Sequence, residues 1–294
     1  MDLIGAAGRL EFLAPHSLVE TISEKVVDPL LGTQTCDLTD STCERTGEIS
    51  LIRRVLITWG FIYISSVILY LTASGLDFFI WFVLLKDKFF IASGKKGDDD
   101  GGVDMKEMKR EITTSLKSLI VMTGFSTPAE ILIQLGYSKT YTKLDEYGYT
   151  YLILSPILFL LFSDCIIYFI HRGLHHRWVY KTLHKPHHSF IHTTPFAAFA
   201  FHPVDGYAQG IAYHLFVFLM PFHYLIHMIS LVVVTCWTIN IHDRVGFKIP
   251  GLNGAKHHRI HHTTFSSNYG QYFTFWDRLC GTFKDPFVEE EKLD

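Results

Sequence analysis

The stretch Tyr151–His188, YLILSPILFLLFSDCIIYFIHRGLHHRWVYKTLHKPHH, decides how the rest of the chain is read. Its first twenty residues are apolar with one charge, Asp164. That is about the length of one bilayer crossing. The run then passes without a break into HRGLHH (171–176) and HKPHH (184–188). His171 and His175, at i and i+4, share one helix face. Asp164 lies two turns before His171 on the same stripe. A carboxylate in such a run is either functional or lies near the helix end, wetted or paired with Arg172.

Working outward, three more apolar regions emerge. Val55–Leu85 exceeds one crossing, and so reads as a tilted helix or as a crossing with an interfacial extension. Leu116–Gly136 is weaker and either spans or lies in the interface. Gly210–Ile241 is too short for two full crossings, which need about 40 residues. It reads as a tight hairpin bent at Pro221, or as one crossing with a shoulder. Arg172, Arg177, Lys181 and Lys185 follow one run, and Lys248, Lys256, Arg259 and Arg278 follow another. The positive-inside rule puts both blocks in the cytosol, so residues 210–241 must go in and return. Arg53 and Arg54 leave the side of the N-terminal end open.

The expected architecture is an all-α integral membrane protein. It has about four transmembrane or re-entrant helices and a cytosolic histidine-rich helical cap. The expected parts are an N-terminal tail (1–50), membrane helices (51–150) with a polar glycine-rich loop (94–102), a histidine-rich catalytic domain (151–286) and an acidic tail (287–294). The tail reads as holding one amphipathic helix, and Cys36 and Cys43 could pair there in an oxidising compartment.

Composition narrows the function. The 294 residues are 48% hydrophobic and 19% charged, which excludes a disordered chain. A net charge of −3 argues against a general nucleic-acid binder. Five cysteines without a C-x-x-C pair exclude a cysteine zinc module. Thirteen of 17 histidines fall within 171–202 and 242–262. A third cluster is HHRIHH (257–262), where His258 pairs with His261 and His262 by helical spacing. Neutral imidazoles are the commonest metal ligands, and eight or more exceed the needs of one ion, which points to two. Imidazole suits Zn, Cu, Fe and Ni alike, and zinc would outcompete Fe²⁺ in a purified sample. A site just outside the hydrocarbon admits a lipid substrate, with aromatics such as Phe201, Tyr207, Tyr269, Tyr272 and Trp276 lining a cleft or forming an interfacial belt.

The boxes HxxxHH, HxxHH and HHxxHH, with TPFAAFAFHPVDG (194–206), WTINIHD (237–243) and HHRIHHTTFSSNYGQYFTFWDRLCGTFKDP (257–286), resemble the membrane fatty acid hydroxylase/sterol desaturase superfamily. Within it they resemble the sterol 5-desaturases. The resemblance covers roughly 160–286 and implies a cytosolic di-iron site in the endoplasmic reticulum membrane. It further implies O2-dependent introduction of the 5(6) double bond into a Δ7 sterol. Electrons would come from NADH or NADPH through cytochrome b5 and its reductase.

Carried over by position, the metal ligands would be His171, His175, His184, His187, His188, His242, His258, His261 and His262. His176, His257 and His202 would stand in or beside the boxes. Asp164 and Asp243 would orient imidazoles by accepting their other N–H. No acid–base residue or nucleophile beyond the metal ligands is implied. The competing readings are a 4-methylsterol oxidase or lipid hydroxylase of the same superfamily, and a non-enzymatic membrane metal-binding or transport protein.

Overall fold

The computed structural model describes residues 51–90 and 101–287. The expected tail helix, the Cys36–Cys43 pairing, most of the glycine-rich loop and all but the first residue of the acidic tail lie outside them.

Among the described residues three helices are long and apolar enough to cross a membrane. Helix α1 (Leu51–Phe78) continues through a π-helical turn, Phe79–Leu84, into the short α2 (Lys86–Phe89). Helix α3 is Met105–Gln134 and α4 is Gly148–Leu174. At 1.5 Å per residue these run about 40 Å or more, beyond the roughly 30 Å hydrocarbon thickness. The two weaker readings resolve accordingly: α1 is one helix with an extension, and α3 is of full spanning length. The chain is an all-α integral membrane protein.

Local chemistry sets the ends and breaks. Asp104 caps α3, its carboxylate accepting from the backbone N–H of Lys106 (2.8 Å) and Glu107 (3.4 Å). Pro156 inside α4 cannot donate to the Leu152 carbonyl. The Ser155 hydroxyl donates to that carbonyl instead, at 3.3 Å.

After α4 come a π-helical segment (Tyr180–His184), α5 (Lys185–His188) and a 3₁₀ turn (Pro195–Phe199). Two 17-residue helices, α6 (Pro203–Leu219) and α7 (Tyr224–Asn240), then form the hairpin. Each is about 25 Å long, so the pair reaches nearly across a bilayer and returns. Its tip is tied down by a two-residue parallel ladder between β1 (Thr140–Tyr141) and β2 (Phe222–His223), and by the Tyr151 hydroxyl donating to the Pro221 carbonyl (2.8 Å). Helices α8 (Ala255–Thr264) and α9 (Phe275–Leu279) complete the described chain.

Cross-helix bonds orient the bundle. Gln134, at the end of α3, donates to the Thr58 hydroxyl near the start of α1 (3.2 Å). At the other end of α1, Tyr70 and Ser74 donate to the carbonyls of Phe196 (2.8 Å) and Pro195 (3.2 Å). Glu111 of α3 accepts from the Thr194 amide (3.1 Å) and hydroxyl. The last turns of α1, α4 and α7 and the first turns of α3 and α6 therefore meet at one end, where the histidine boxes sit. Arg53 and Arg54 lie at the opposite end. Between the two ends, Phe159, Phe216, Val217, Phe222 and Val234 form an apolar core joining α4 to the hairpin.

Candidate metal centre

Nine imidazoles converge in two groups. His171, His175, His184, His188 and His261 form one; His187, His242, His258 and His262 form the other. Within each group the nearest nitrogens lie within 4.8 Å of one another. All nine are buried except His175 and His258, which are partly buried.

Helical geometry explains the partition. An i, i+4 pair shares a face, whereas adjacent residues point about 100° apart. The pairs His171/His175 and His184/His188 serve the five-membered group, and His258/His262 serves the other. In the doublets His187–His188 and His261–His262 the other histidine, His187 or His261, turns away to the opposite group. Each doublet thus feeds both groups and ties them together. The π-helical turn places His184, and Pro186 in the first turn of α5 is tolerated because that turn needs no internal donor.

The tautomers follow from the outer partners. The Nδ1–H of His171 donates to the Tyr269 carbonyl (2.9 Å), and that of His261 to Ser267 (2.8 Å). His262 donates likewise to Phe190 (3.0 Å) and His242 to Thr238 (2.7 Å). His184 donates to Asp205 Oδ2 at 2.7 Å. Carbonyls and carboxylates only accept, so in these rings Nε2 carries a lone pair. Those lone pairs face inward. His171 and His184 Nε2 are 3.1 Å apart; His175 Nε2 is 3.2 Å from both His261 and His188 Nε2. In the second group His258 Nε2 is 3.1 Å from His242 and 3.0 Å from His262.

Converging lone pairs repel unless a cation lies between them. Two nitrogens about 2.1 Å from one ion lie about 3.0 Å apart at a right angle and about 3.4 Å apart at the tetrahedral angle. The donor set therefore fits a pair of borderline metal ions.

Burial, reinforced by neighbouring imidazoles, pushes His187, His258, His261 and His262 well below the ordinary histidine value. His175 falls to about 3 and His242 to about 4. The unfolded chain, with histidines near 6.5, binds more protons than the folded one below that pH. Stability of the metal-free protein is therefore expected to fall as pH drops from about 6.5 towards 4, by at most about 1.4 kcal/mol per pH unit for a buried ring such as His242. Thermal unfolding in detergent, measured across that range after chelation, checks this; a flat profile would contradict it.

The other expected residues do different work. His202 caps α6, its Nδ1 accepting from the Val204 N–H (3.3 Å). His257 Nδ1 reaches back to the Gly254 N–H at the start of α8 (3.3 Å), and His176 Nδ1 accepts from the Trp178 N–H (3.5 Å). These three rings spend a nitrogen on backbone and stand outside both groups.

Asp164 and Asp243 do not brace imidazoles. Asp164 accepts from the backbone of Tyr272 (2.7 Å) and Phe273 (3.3 Å). Asp243 accepts from the Val245 N–H (2.7 Å) and the Asn240 side chain (2.9 Å). Both carboxylates hold loops because backbone donors reach them first. The carboxylate that does meet an imidazole is Asp205, fully buried in the first turn of α6 and also accepting from Gln209 Nε2 (2.8 Å). The sequence signal was the acid in HPVDG, three residues past a helix cap. Of the expected aromatics, Phe201 packs on His187 (4.4 Å between centroids) and Tyr269 on His171, His175 and His261.

The loop carrying Tyr269 is held by Asp277, which accepts from the N–H groups of Tyr269 (2.9 Å) and Gly270 (2.8 Å). A Cβ at Gly270 would sit 2.6 Å from the Phe273 carbonyl oxygen, so only glycine fits there.

Comparison with known proteins agrees with this geometry. Residues 156–282 match the family model described as fatty acid hydroxylase. The chain is 46% identical to lathosterol oxidase of Rattus norvegicus over 194 residues, which is 63% of this chain and 64% of that protein. It is 47% identical to a Delta(7)-sterol 5(6)-desaturase of Schizosaccharomyces pombe over 180 residues, 61% of this chain and 55% of that protein. A Delta(7)-sterol 5(6)-desaturase of Aspergillus fumigatus is 38% identical over 252 residues, 83% of this chain and 71% of that protein. The chain spans less than two thirds of the length of the first two relatives. No solved structure matches it.

Proposed function

The chain belongs to the fatty acid hydroxylase family, and from that premise we propose that it is a sterol 5-desaturase, introducing the 5(6) double bond into a Δ7 sterol. The observation that carries this reading is the pair of all-imidazole groups, with seven of nine rings buried and five held by an outer acceptor at Nδ1, at the membrane-helix ends of a chain aligned with sterol desaturases. Residues 151–286 are the catalytic part, with His171, His175, His184, His188 and His261 holding one iron and His187, His242, His258 and His262 the other.

The balance of the reaction is one sterol, one O2, two electrons and two protons, giving the unsaturated sterol and two waters. The irons supply the activation of dioxygen. This chain's residues supply the rest. Asp205 and the carbonyls of Tyr269, Ser267, Phe190 and Thr238 fix ring orientation and tautomer. Burial of the imidazoles keeps bulk water out, which disfavours a competing hydroxylation. Asp164 and Asp277 hold the 269–273 loop against the centre.

The electrons come from NADH or NADPH through cytochrome b5 and its reductase, and the enzyme works in the endoplasmic reticulum membrane. Supporting a cytosolic centre, Arg172, Arg177, Lys181, Lys185, Lys248 and Lys256 cluster at the histidine end, against Arg53, Arg54, Lys139 and Lys143 at the other.

Sterol profiling of a host lacking 5(6)-desaturation, with and without the chain, tests the reading. Accumulated Δ7 sterol is expected to become the 5,7-diene. Conversion of a 4-methyl sterol with the Δ7 sterol untouched would reassign the substrate. Bound metal without turnover, given a competent electron-transfer chain, would favour metal transport or storage.

A further inference from the structure

The loop between α4 and the π-helical segment has an unusual surface. No carboxylate occurs from residue 165 to residue 204, while Arg172, Arg177, Lys181 and Lys185 fall within it. All four are exposed, and none has an ion-pair partner among the described residues. In their midst Trp178 is 77% exposed, the highest value for any large apolar side chain among the described residues. Its ring lies 4.7 Å from that of His176, between centroids, and 5.8 Å from the Arg177 guanidinium.

The loop also lies where the metal centre comes nearest the surface. His175 is the one member of its group that is not fully buried. It is covalently next to His176, on whose ring Trp178 rests. The second group has a similar exit at His258, but no exposed tryptophan lies there, and the neighbouring Lys256 is already set over the Phe287 ring at 4.9 Å.

We propose that the Arg172–Lys185 surface, centred on Trp178, is the docking site for an acidic one-electron carrier protein. This rests on the reaction proposed above, which needs two electrons per double bond. The carrier is oxidised twice, one electron at a time, and the centre is reduced by the same two electrons. Exposed tryptophan and arginine are the residues that most often anchor protein interfaces. Unpaired surface cations steer an oppositely charged partner, and salt weakens that steering. Anionic lipid headgroups would also meet the cations. Only a redox partner, however, gains from the position beside His175.

The test uses the full chain in nanodiscs of uncharged phosphatidylcholine, with the soluble haem domain of cytochrome b5 as probe. Two variants are compared with the parent: Trp178→Ala, and Arg177→Glu with Lys181→Glu. Carrier binding is measured directly at low and high salt, and sterol turnover is measured with the carrier or with dithionite as the electron source. Each variant is expected to weaken carrier binding and raise KM for the carrier about tenfold or more. The charge-reversed variant should lose most of the salt dependence, and dithionite-driven turnover should stay at the parent level. Carrier-facing acid-to-lysine changes should restore affinity for the charge-reversed variant. Unchanged binding in both variants would overturn the proposal. So would a defect seen only when phosphatidylserine is added to the discs, which would assign the surface to lipid. A parent that binds the carrier but makes no sterol product from either source would refute the reaction and leave the docking site standing.

Discussion

Replacing His184 with alanine is expected to reduce bound metal from two ions per chain towards one and to lower turnover by far more than 100-fold. His184 is fully buried, and its Nε2 faces that of His171 at 3.1 Å. Removing it opens the five-membered group on the side where the π-helical segment meets α6. It also leaves the Asp205 carboxylate buried without its imidazole, keeping only Gln209. Leaving a buried acceptor without its donor costs about 1–3 kcal/mol, and more for a charged one, so the single variant is destabilised as well. The double variant His184→Ala/Asp205→Asn removes the orphaned charge. It should recover stability while turnover stays lost. Metal analysis of the purified protein, alongside sterol product formation, checks both. Two ions and parental turnover in His184→Ala would remove His184 from the ligand set.

The second large effect separates two buried carboxylates that look alike in sequence. Asp205→Asn keeps an oxygen to accept the His184 Nδ1–H but removes the charge that makes the ring a stronger donor. Metal affinity should fall about 10–100-fold, with turnover following metal loading. Asp164→Asn should leave metal affinity at the parental level, because Asp164 bonds to the backbone of Tyr272 and Phe273. Its cost is the weakening of charge-assisted bonds, about 1–3 kcal/mol of stability. Competition with a chelator measures the first quantity, and thermal unfolding in detergent the second. Equal loss of metal in both variants would show that Asp164 acts on the centre after all.

The contrast shows how much of the site could be read in advance. Asp164 shares a stripe with His171, and the family resemblance implies that it braces an imidazole. Nothing local revealed that a loop more than a hundred residues later would offer it two N–H groups. Asp205 stands three residues past His202, which caps the helix that carries it, and nothing in that spacing points to His184. His176 and His257 stand in the boxes, yet each lends a ring nitrogen to a nearby backbone N–H. In these cases the nearest donor won, and the identity of that donor depends on the fold.

What the sequence determined by itself is the set of helices and the location of the chemistry. Long apolar runs in a bilayer leave the backbone no alternative to the helix, and i, i+4 spacing on a helix makes neighbours of imidazoles whatever surrounds them. Only the tertiary structure decided which imidazole joins which group, which carboxylate braces a ring, and that the starts of α3 and α6 meet the ends of α1, α4 and α7. Those choices are contacts between residues far apart in the chain, and their energies come from burial and from partners that exist only once the helices have come together.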